Sequence, residues 1–272
     1  MLWSRGTPCE IPEPVDRDGA PTLRTAGERT AAETLRLDDM ADSFWSRHNA
    51  VRVILGSRSP RRQELMRSVV PTELLTVMPP SDPDEPGFDG LSSDAEITER
   101  LLEIVRMKHD LVHRQAVLRN ILSPDHSAPI IVAADTTVIA GEQDGSRVVL
   151  GQPREPDWQN DVAHWMSRWL AGKSHQVWTA VKVSRGQTFK EQIVRSTVRF
   201  RPLTDRQIQW YLSVGESPGK AGGYAIQGMA SVFVESVEGS LTNIIGLPLA
   251  EVVDLMDGVL EDSTRMSGYE FA

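Results

Sequence analysis

An α/β fold built on a mixed sheet is what this sequence predicts, and three observations predict it. Short β-branched runs alternate with stretches of helical period from residue 51 to residue 260. The alternation carries no internal repeat. One apolar run, Ile130 to Ala140, reads as a buried strand, and Arg147-Val148-Val149-Leu150 can return beside it as a hairpin partner across a turn-rich segment.

The elements follow in order. Val51 to Leu55 is a β-branched run closed by Gly56. Ser59-Pro60 supplies an N-cap followed by proline at the first helical position, so a helix starts there and stops before Pro71, with Leu65, Met66 and Val69 turned inward. Leu74 to Met78 is a second strand, and Pro79 to Gly90 is a loop rich in Pro, Asp and Gly. Ile97, Leu101, Ile104, Val105 and Leu111 mark a long helix from Asp94 to Leu122, with a loop from Ser123 to Pro129 as its exit. Trp158, Val162, Trp165, Met166, Trp169 and Leu170 recur at helical spacing ahead of Gly172, so the tryptophans form a core face rather than a stacking platform. Val177 to Val183 and Ile193 to Phe200 are strands. Thr204 caps a helix through Ile208, Tyr211 and Leu212. Ser231 to Val234 reads as a short strand, Asn243 to Pro248 as a tight turn, and Leu249 to Leu260 as the terminal helix, leaving 261–272 as a tail.

Residues 1–50 are of another character. They hold six Arg, no Lys and nine acidic residues, with four prolines by position 21. They read as a flexible extension with a weak helix from Ala31 to Trp45. Their acidity argues against a mitochondrial transit peptide, and without an apolar core segment a signal peptide is not expected.

Composition narrows the function. Lys plus Arg total 29 against 38 Asp plus Glu, a net charge of −9, in a chain of 272 residues. Broad binding to a nucleic-acid polymer or an anionic membrane needs the opposite sign. No run approaches the 18–20 apolar residues, roughly, that span a bilayer. The single cysteine, Cys9, excludes an internal disulfide framework and a zinc site built on paired cysteines. A cytoplasmic address is the expectation.

Three segments carry chemistry. Ser57-Arg58-Ser59-Pro60-Arg61-Arg62 puts two arginines in a first helical turn, where the helix dipole favours acids. An anion on the free N–H groups would resolve that conflict, with Ser hydroxyls and guanidinium forks as further donors. Two exposed arginines paired with acids such as Glu64 would also explain it. Asp135 sits inside an apolar strand, where a carboxylate must be paired or bind a cation; a metal ligand, a general base, or a local bond to Thr136 or Thr137 are its options. Gly215 to Gly228 is glycine-rich but is no P-loop, because no Lys-Ser/Thr pair closes it. Its glycines permit close approach of backbone to a ligand, Lys220 offers charge, and Gln227 offers an amide that can read a base edge. His175 is placed to donate to a backbone carbonyl. His109, His113 and His126 show no metal-site spacing.

Taken in order over 51–258, these segments resemble the Maf family of nucleoside triphosphate pyrophosphatases. The matching residues are Ser57-x-Ser59-Pro60-Arg61-Arg62-x-Glu64-Leu65, the pair Asp84-Glu85, Lys108, and Ala134-Asp135-Thr136. They continue through Leu150-Gly151-x-Pro153, Gly172-x-x-His175-x-Val177-x-Thr179, Lys220-Ala221-Gly222-x-Tyr224-x-Ile226-Gln227-Gly228 and Asn243-x-x-Gly246-Leu247-Pro248. The resemblance implies a two-lobed fold like that of inosine triphosphate pyrophosphatases, with a cleft between the lobes. It implies hydrolysis of a nucleoside triphosphate to the monophosphate and pyrophosphate with Mg²⁺ or Mn²⁺. Asp135 is then the catalytic residue, and Glu85 and Asp135 are metal ligands. Ser57, Ser59, Arg61, Arg62, Lys108, Thr136, Lys220 and Gln227 bind substrate. Arg61, Thr136 and Gln227 are similar to the branch that prefers dTTP and UTP. The implied partners are the nucleotide and, as an open option, a second copy of the chain.

One position departs from the family pattern. Gln152 stands where the Leu-Gly-Lys-Pro segment usually has Lys. Either the activity is weakened, toward a nucleotide-binding or regulatory protein, or another cation such as Arg154 substitutes.

Overall fold

The computed structural model describes residues 51–82, 84–121, 128–142 and 144–268. The extension read over 1–50, its helix and most of the 123–129 loop lie outside the described residues. No described helix is long and apolar enough to cross a membrane.

The sheet is mixed, as expected. Its order is β2 (Leu75–Val77), β1 (Val53–Gly56), β3 (Ile130–Gly141), β5 (Ser174–Arg185), β6 (Thr188–Phe200) and β7 (Val234–Glu238), with β4 (Arg147–Leu150) paired to β3. β1 runs parallel to β2 and to β3, and the remaining pairs are antiparallel. β5 and β6 are longer than their apolar cores: Arg185 still pairs with Thr188, so only Gly186 and Gln187 make the turn. Polar residues in the outer pairs hid those ends from a hydrophobicity reading.

Helices cover the sheet where their apolar stripes meet its apolar faces. α1 (Pro60–Arg67) begins at Ser59, whose hydroxyl accepts from the Arg62 N–H, and Pro60 takes the first position. α2 (Asp94–Leu118) opens with a full capping box from Ser93 and Glu96. It buries Ile97, Leu101 and Val105 against Ala133, Ile139, Trp178 and Ala180, and Val112 and Ala116 against Ile54 and Ile131. Those β3 residues are all odd-numbered and so share one face. Val138 and Ala140 point the other way, into a core with Val162, Met166, Leu170, Phe200 and Phe233. Trp158, Trp165 and Trp169 pack on that core from α3 (Trp158–Trp165) and the π-helical turn that prolongs it, Met166–Leu170. α4 (Asp205–Val214) starts at the Thr204 capping box and ends at Gly215 in the left-handed conformation.

Three readings change. Met229–Phe233 is a 3₁₀ turn, and the strand begins only at Val234. The reason is visible in burial: Ala230 and Phe233 are buried while Ser231 and Val232 are exposed, a period of three rather than two. Residues before Pro248 form a short helix, α5 (Leu241–Ile245), capped by Ser240. The terminal helix α6 (Leu249–Gly268) runs on beyond Leu260.

Candidate active site

The site forms where β3 loses one neighbour before it gains the next. β1 accompanies β3 only as far as Gly56 beside Ala133, and β4 takes over at Leu150 beside Val138. From Ala134 to Thr137, β3 is paired to β5 on one edge and, among the described residues, to no strand on the other. A cavity of about 470 Å³ opens there. Its charged and hydroxyl lining includes Ser57, Ser59, Arg61, Arg62, Lys108 and Asp135. Its apolar walls are Val138, Val177, Tyr224, Ile226 and Ile244.

Asp135 and Thr136 leave the strand on opposite faces, and each face has its own chemistry. On the Asp135 face stands α2. Lys108 lies one turn after buried Val105 and one turn before buried Val112, so the packing that fixes the helix also fixes the lysine. Its Nζ donates to Asp135 Oδ1 at 2.5 Å and pairs with Glu85 Oε2 at 2.8 Å. The Lys108 and Asp135 side chains are 14% and 13% exposed, and Glu85 is 39% exposed.

On the Thr136 face, Arg62 is enclosed by neutral oxygens. Its Nε donates to Gly246 O at 2.6 Å, and its terminal nitrogens donate to Ala134 O at 2.7 Å and Thr136 Oγ1 at 2.8 Å. Thr136 Oγ1 also meets Thr179 Oγ1 at 2.9 Å and Gly246 O at 3.2 Å. Gly246 holds φ +127°, a backbone conformation that L side chains rarely adopt. Burial draws the Arg62 guanidinium below its ordinary pKa; Asp135 opposes the shift, Arg61 adds to it, and Glu85 opposes it.

Arg61 is turned from Arg62 by about 100° of helix. It lines the cavity and, among the described residues, forms no ion pair with a carboxylate. Burial lowers its pKa as well. Lys220 lines the same cavity, its Nζ held by the carbonyls of Glu216 and Pro218. Its pKa is lowered by burial and then by Arg61, with Glu216 opposing. Two cations that disfavour each other across a cavity are a place for an anion. The Ser57 and Ser59 hydroxyls accept from the N–H groups of Ser59 and Arg62 and so shape the loop into α1. Gln152 and Gln227 line the cavity and are exposed.

All residues named from the sequence for this site line the one cavity. Several details differ from expectation. Arg62 is not an exposed arginine beside Glu64. Gly222 and Gly223 do not make room for a ligand: a Cβ on them would meet Val138 at 2.8 Å and Val162 at 2.5 Å. They bring their loop against the core, and Gly219 is the glycine of that loop that lines the cavity. The His175 ring pairs with the Tyr224 hydroxyl at 2.8 Å rather than with a carbonyl. Arg154 is 84% exposed and bound to Asp161, so it does not replace the absent lysine charge. Asp82 also lines the cavity; in sequence it was one more acid in a proline-rich loop.

Among the described residues no group of three or more His, Cys, Asp or Glu is gathered. Glu85 and Asp135 are gathered in twos, through Lys108. Mg²⁺ is commonly bound by one or two carboxylates together with substrate phosphates and water. The pair therefore fits a cation held jointly with a polyphosphate.

Comparison with known proteins supports the same segment. A dTTP/UTP pyrophosphatase of Aromatoleum aromaticum is 36% identical over 208 residues, covering 76% of this chain and 94% of that protein. One of Symbiobacterium thermophilum is 38% identical over 205 residues, covering 75% and 92%. A solved nucleoside-triphosphatase / dITP/XTP pyrophosphatase from Mycobacterium abscessus shares 12% identity at a TM-score of 0.29, over 55% of this chain and 74% of that one, too distant to compare folds. The family model described as Maf-like protein matches residues 52–259, from the edge of β1 into the terminal helix. With every motif of that span converging on one cavity, the chain belongs to the Maf-like protein family.

Proposed function

We propose that this chain is a nucleoside triphosphate pyrophosphatase, hydrolysing its substrate to the monophosphate and pyrophosphate, with dTTP and UTP preferred. The observation that carries the reading is the pairing of two kinds of charge in one cavity. Among the described residues, Arg61 and Lys220 are cations without carboxylate partners in hydrogen-bond range, and Glu85 and Asp135 are carboxylates gathered on one lysine. A triphosphate needs the first set for its negative oxygens, and its hydrolysis needs the second.

In this reading Arg61 and Lys220 bind the phosphates, with the Ser57 and Ser59 hydroxyls as donors. Arg62 contributes its half-buried charge while its fork holds protein oxygens. Asp135 accepts the proton of the water that adds to the α-phosphorus as pyrophosphate leaves. Glu85 and Asp135 would hold Mg²⁺ or Mn²⁺, which when bound supplies Lewis-acid charge to the phosphates. The base lies toward Val138 and Val177, which pair across β3 and β5. Asp135 and Val138 are about 10 Å apart along the strand. Gln227, at the cavity edge, offers one donor and one acceptor to the O4 and N3–H edge of thymine or uracil. Names of the relatives support this substrate class. The same reading places the protein in the cytoplasm.

Pyrophosphate release from dTTP, UTP, 7-methyl-GTP and ATP, with and without Mg²⁺ or Mn²⁺, tests it. Higher kcat/KM for the pyrimidines is expected. A purine preference overturns the substrate assignment, and no release from any of them overturns the activity.

A further inference from the structure

We propose that Lys108 is an exchangeable counter-cation, which neutralises Glu85 and Asp135 before substrate arrives and so keeps a divalent cation from binding ahead of the nucleotide. The inference rests on the proposed use of those two carboxylates as metal ligands. It goes beyond that use by assigning the lysine a role of its own.

The geometry points to this role in three ways. First, the Lys108 ammonium pairs with one oxygen of each carboxylate, Asp135 Oδ1 at 2.5 Å and Glu85 Oε2 at 2.8 Å. Two carboxylates brought to one point repel each other, and a cation between them removes that repulsion. Lys108 supplies it without any metal. Second, the two ends of this bridge differ. Lys108 and Asp135 stand on packed elements, α2 and β3, with their side chains 14% and 13% exposed. Glu85 comes from the loop between β2 and α2 and is 39% exposed. Third, lysine is a compact charge on a flexible four-carbon stem, unlike the planar arginine fork. Arg62 at the same cavity makes three directed bonds to fixed protein oxygens. Lys108 makes its two bonds to the groups that the reaction needs.

The consequence is an order of binding. Without nucleotide, a divalent ion must compete with an ammonium already seated on both carboxylates. With nucleotide, the triphosphate gives Lys108 another anion to pair with and gives the divalent ion further oxygens. Metal affinity should then be low for the free protein and high in the presence of substrate.

Titrating the nucleotide-free full chain with Mn²⁺, read by the loss of free-ion electron paramagnetic resonance signal, tests this. Lys108→Met should bind Mn²⁺ roughly ten-fold or more tighter than wild type, because an attached positive charge has been removed from the pair. Glu85→Gln placed in the Lys108→Met background should abolish the gain, which locates it at this pair. Thermal unfolding gives a second readout: Mn²⁺ should raise the midpoint of Lys108→Met more than that of wild type. Should Lys108→Met fail to fold, Lys108→Gln, which keeps a polar end without charge, should show the same gain. Equal or weaker Mn²⁺ affinity in a folded neutral variant overturns the proposal, as does a gain that survives Glu85→Gln. Failure of the underlying reading looks different: wild type would then release pyrophosphate equally well in the presence of a chelator.

Discussion

The two faces of β3 at the cavity hold charge in opposite ways. At Asp135 three charged groups meet, Lys108 with Asp135 and Glu85. One step along the strand, at Thr136, a single half-buried guanidinium hydrogen-bonds only to neutral oxygens. The first arrangement is held by charge and can be exchanged when another cation or anion enters. The second is held by directed hydrogen bonds from three segments of chain, α1, β3 and the turn before α6, and has nothing to exchange with. One face is suited to chemistry and the other to holding the cavity in shape.

The largest expected effect breaks the first face alone. Asp135→Asn keeps the shape of the side chain and removes its charge. Turnover at saturating metal should fall by about 10²–10⁴, the usual worth of a general base, while the thermal midpoint moves little. Near wild-type pyrophosphate release would show that the charged face is not the reacting one.

Breaking the second face should do the reverse. Arg62→Gln leaves carbonyls of Gly246 and Ala134 without their donor, and a stability loss of about 2–4 kcal/mol is expected in urea unfolding. Arg61→Met, one residue earlier, should leave stability unchanged or slightly higher, because it relieves the charge conflict with Lys220. Its cost should appear in KM. If the two arginines behave alike, the distinction between clip and ligand is wrong.

Gln152 sharpens the comparison by adding charge rather than removing it. Gln152→Lys places a cation at the cavity lining. If it reaches the phosphates, a charge-assisted bond worth about 1.5–3 kcal/mol corresponds to one or two decades in kcat/KM. The gain should shrink at high salt. Arg154→Ala should change kcat/KM less than about two-fold, because that arginine is exposed and committed to Asp161.

The smallest effect concerns parts that are held neutral. Burial pulls His109 down to about 4 and His175 to about 3. His109 is fixed by Ser184 Oγ at 2.6 Å and His175 by the Tyr224 hydroxyl. Each takes up its proton more readily in the unfolded chain, so stability is lost as pH falls below about 6.5 toward those lowered values. Between pH 7 and pH 5 each should cost about 2 kcal/mol. Unfolding midpoints measured across that range should fall less steeply in His109→Gln than in wild type. An unchanged slope would mean that His109 is not held neutral.

Much of this was legible in the sequence because it depends on neighbours along the chain. A cap needs a Ser or Thr one residue before the helix, which is why Ser59 and Thr204 located α1 and α4. A buried strand needs a run of β-branched residues, which is why Ile130 to Ala140 located β3. Where two periods compete over a few residues the pattern failed, as at Met229–Phe233, because so short an apolar run does not distinguish a strand from a 3₁₀ turn. Glycines were misread for a related reason. Gly222 and Gly223 looked like room for a ligand, yet what comes close to them is Val138 and Val162.

By itself the sequence determined the mixed sheet, most of the order of elements and a group of residues that all line the cavity, since composition, periodicity and ordered motifs are properties of the chain. Only the tertiary structure decided what each charge is paired with. Arg61 and Arg62 are adjacent letters and both line the cavity, yet Arg62 spends its guanidinium on oxygens from β3 and the turn at Gly246. Lys108, Glu85 and Asp135 are separated in sequence, yet one ammonium joins them. Pairing depends on distance in space, and that distance is set by where β1 ends, where β4 begins, and how α2 packs across the gap between them.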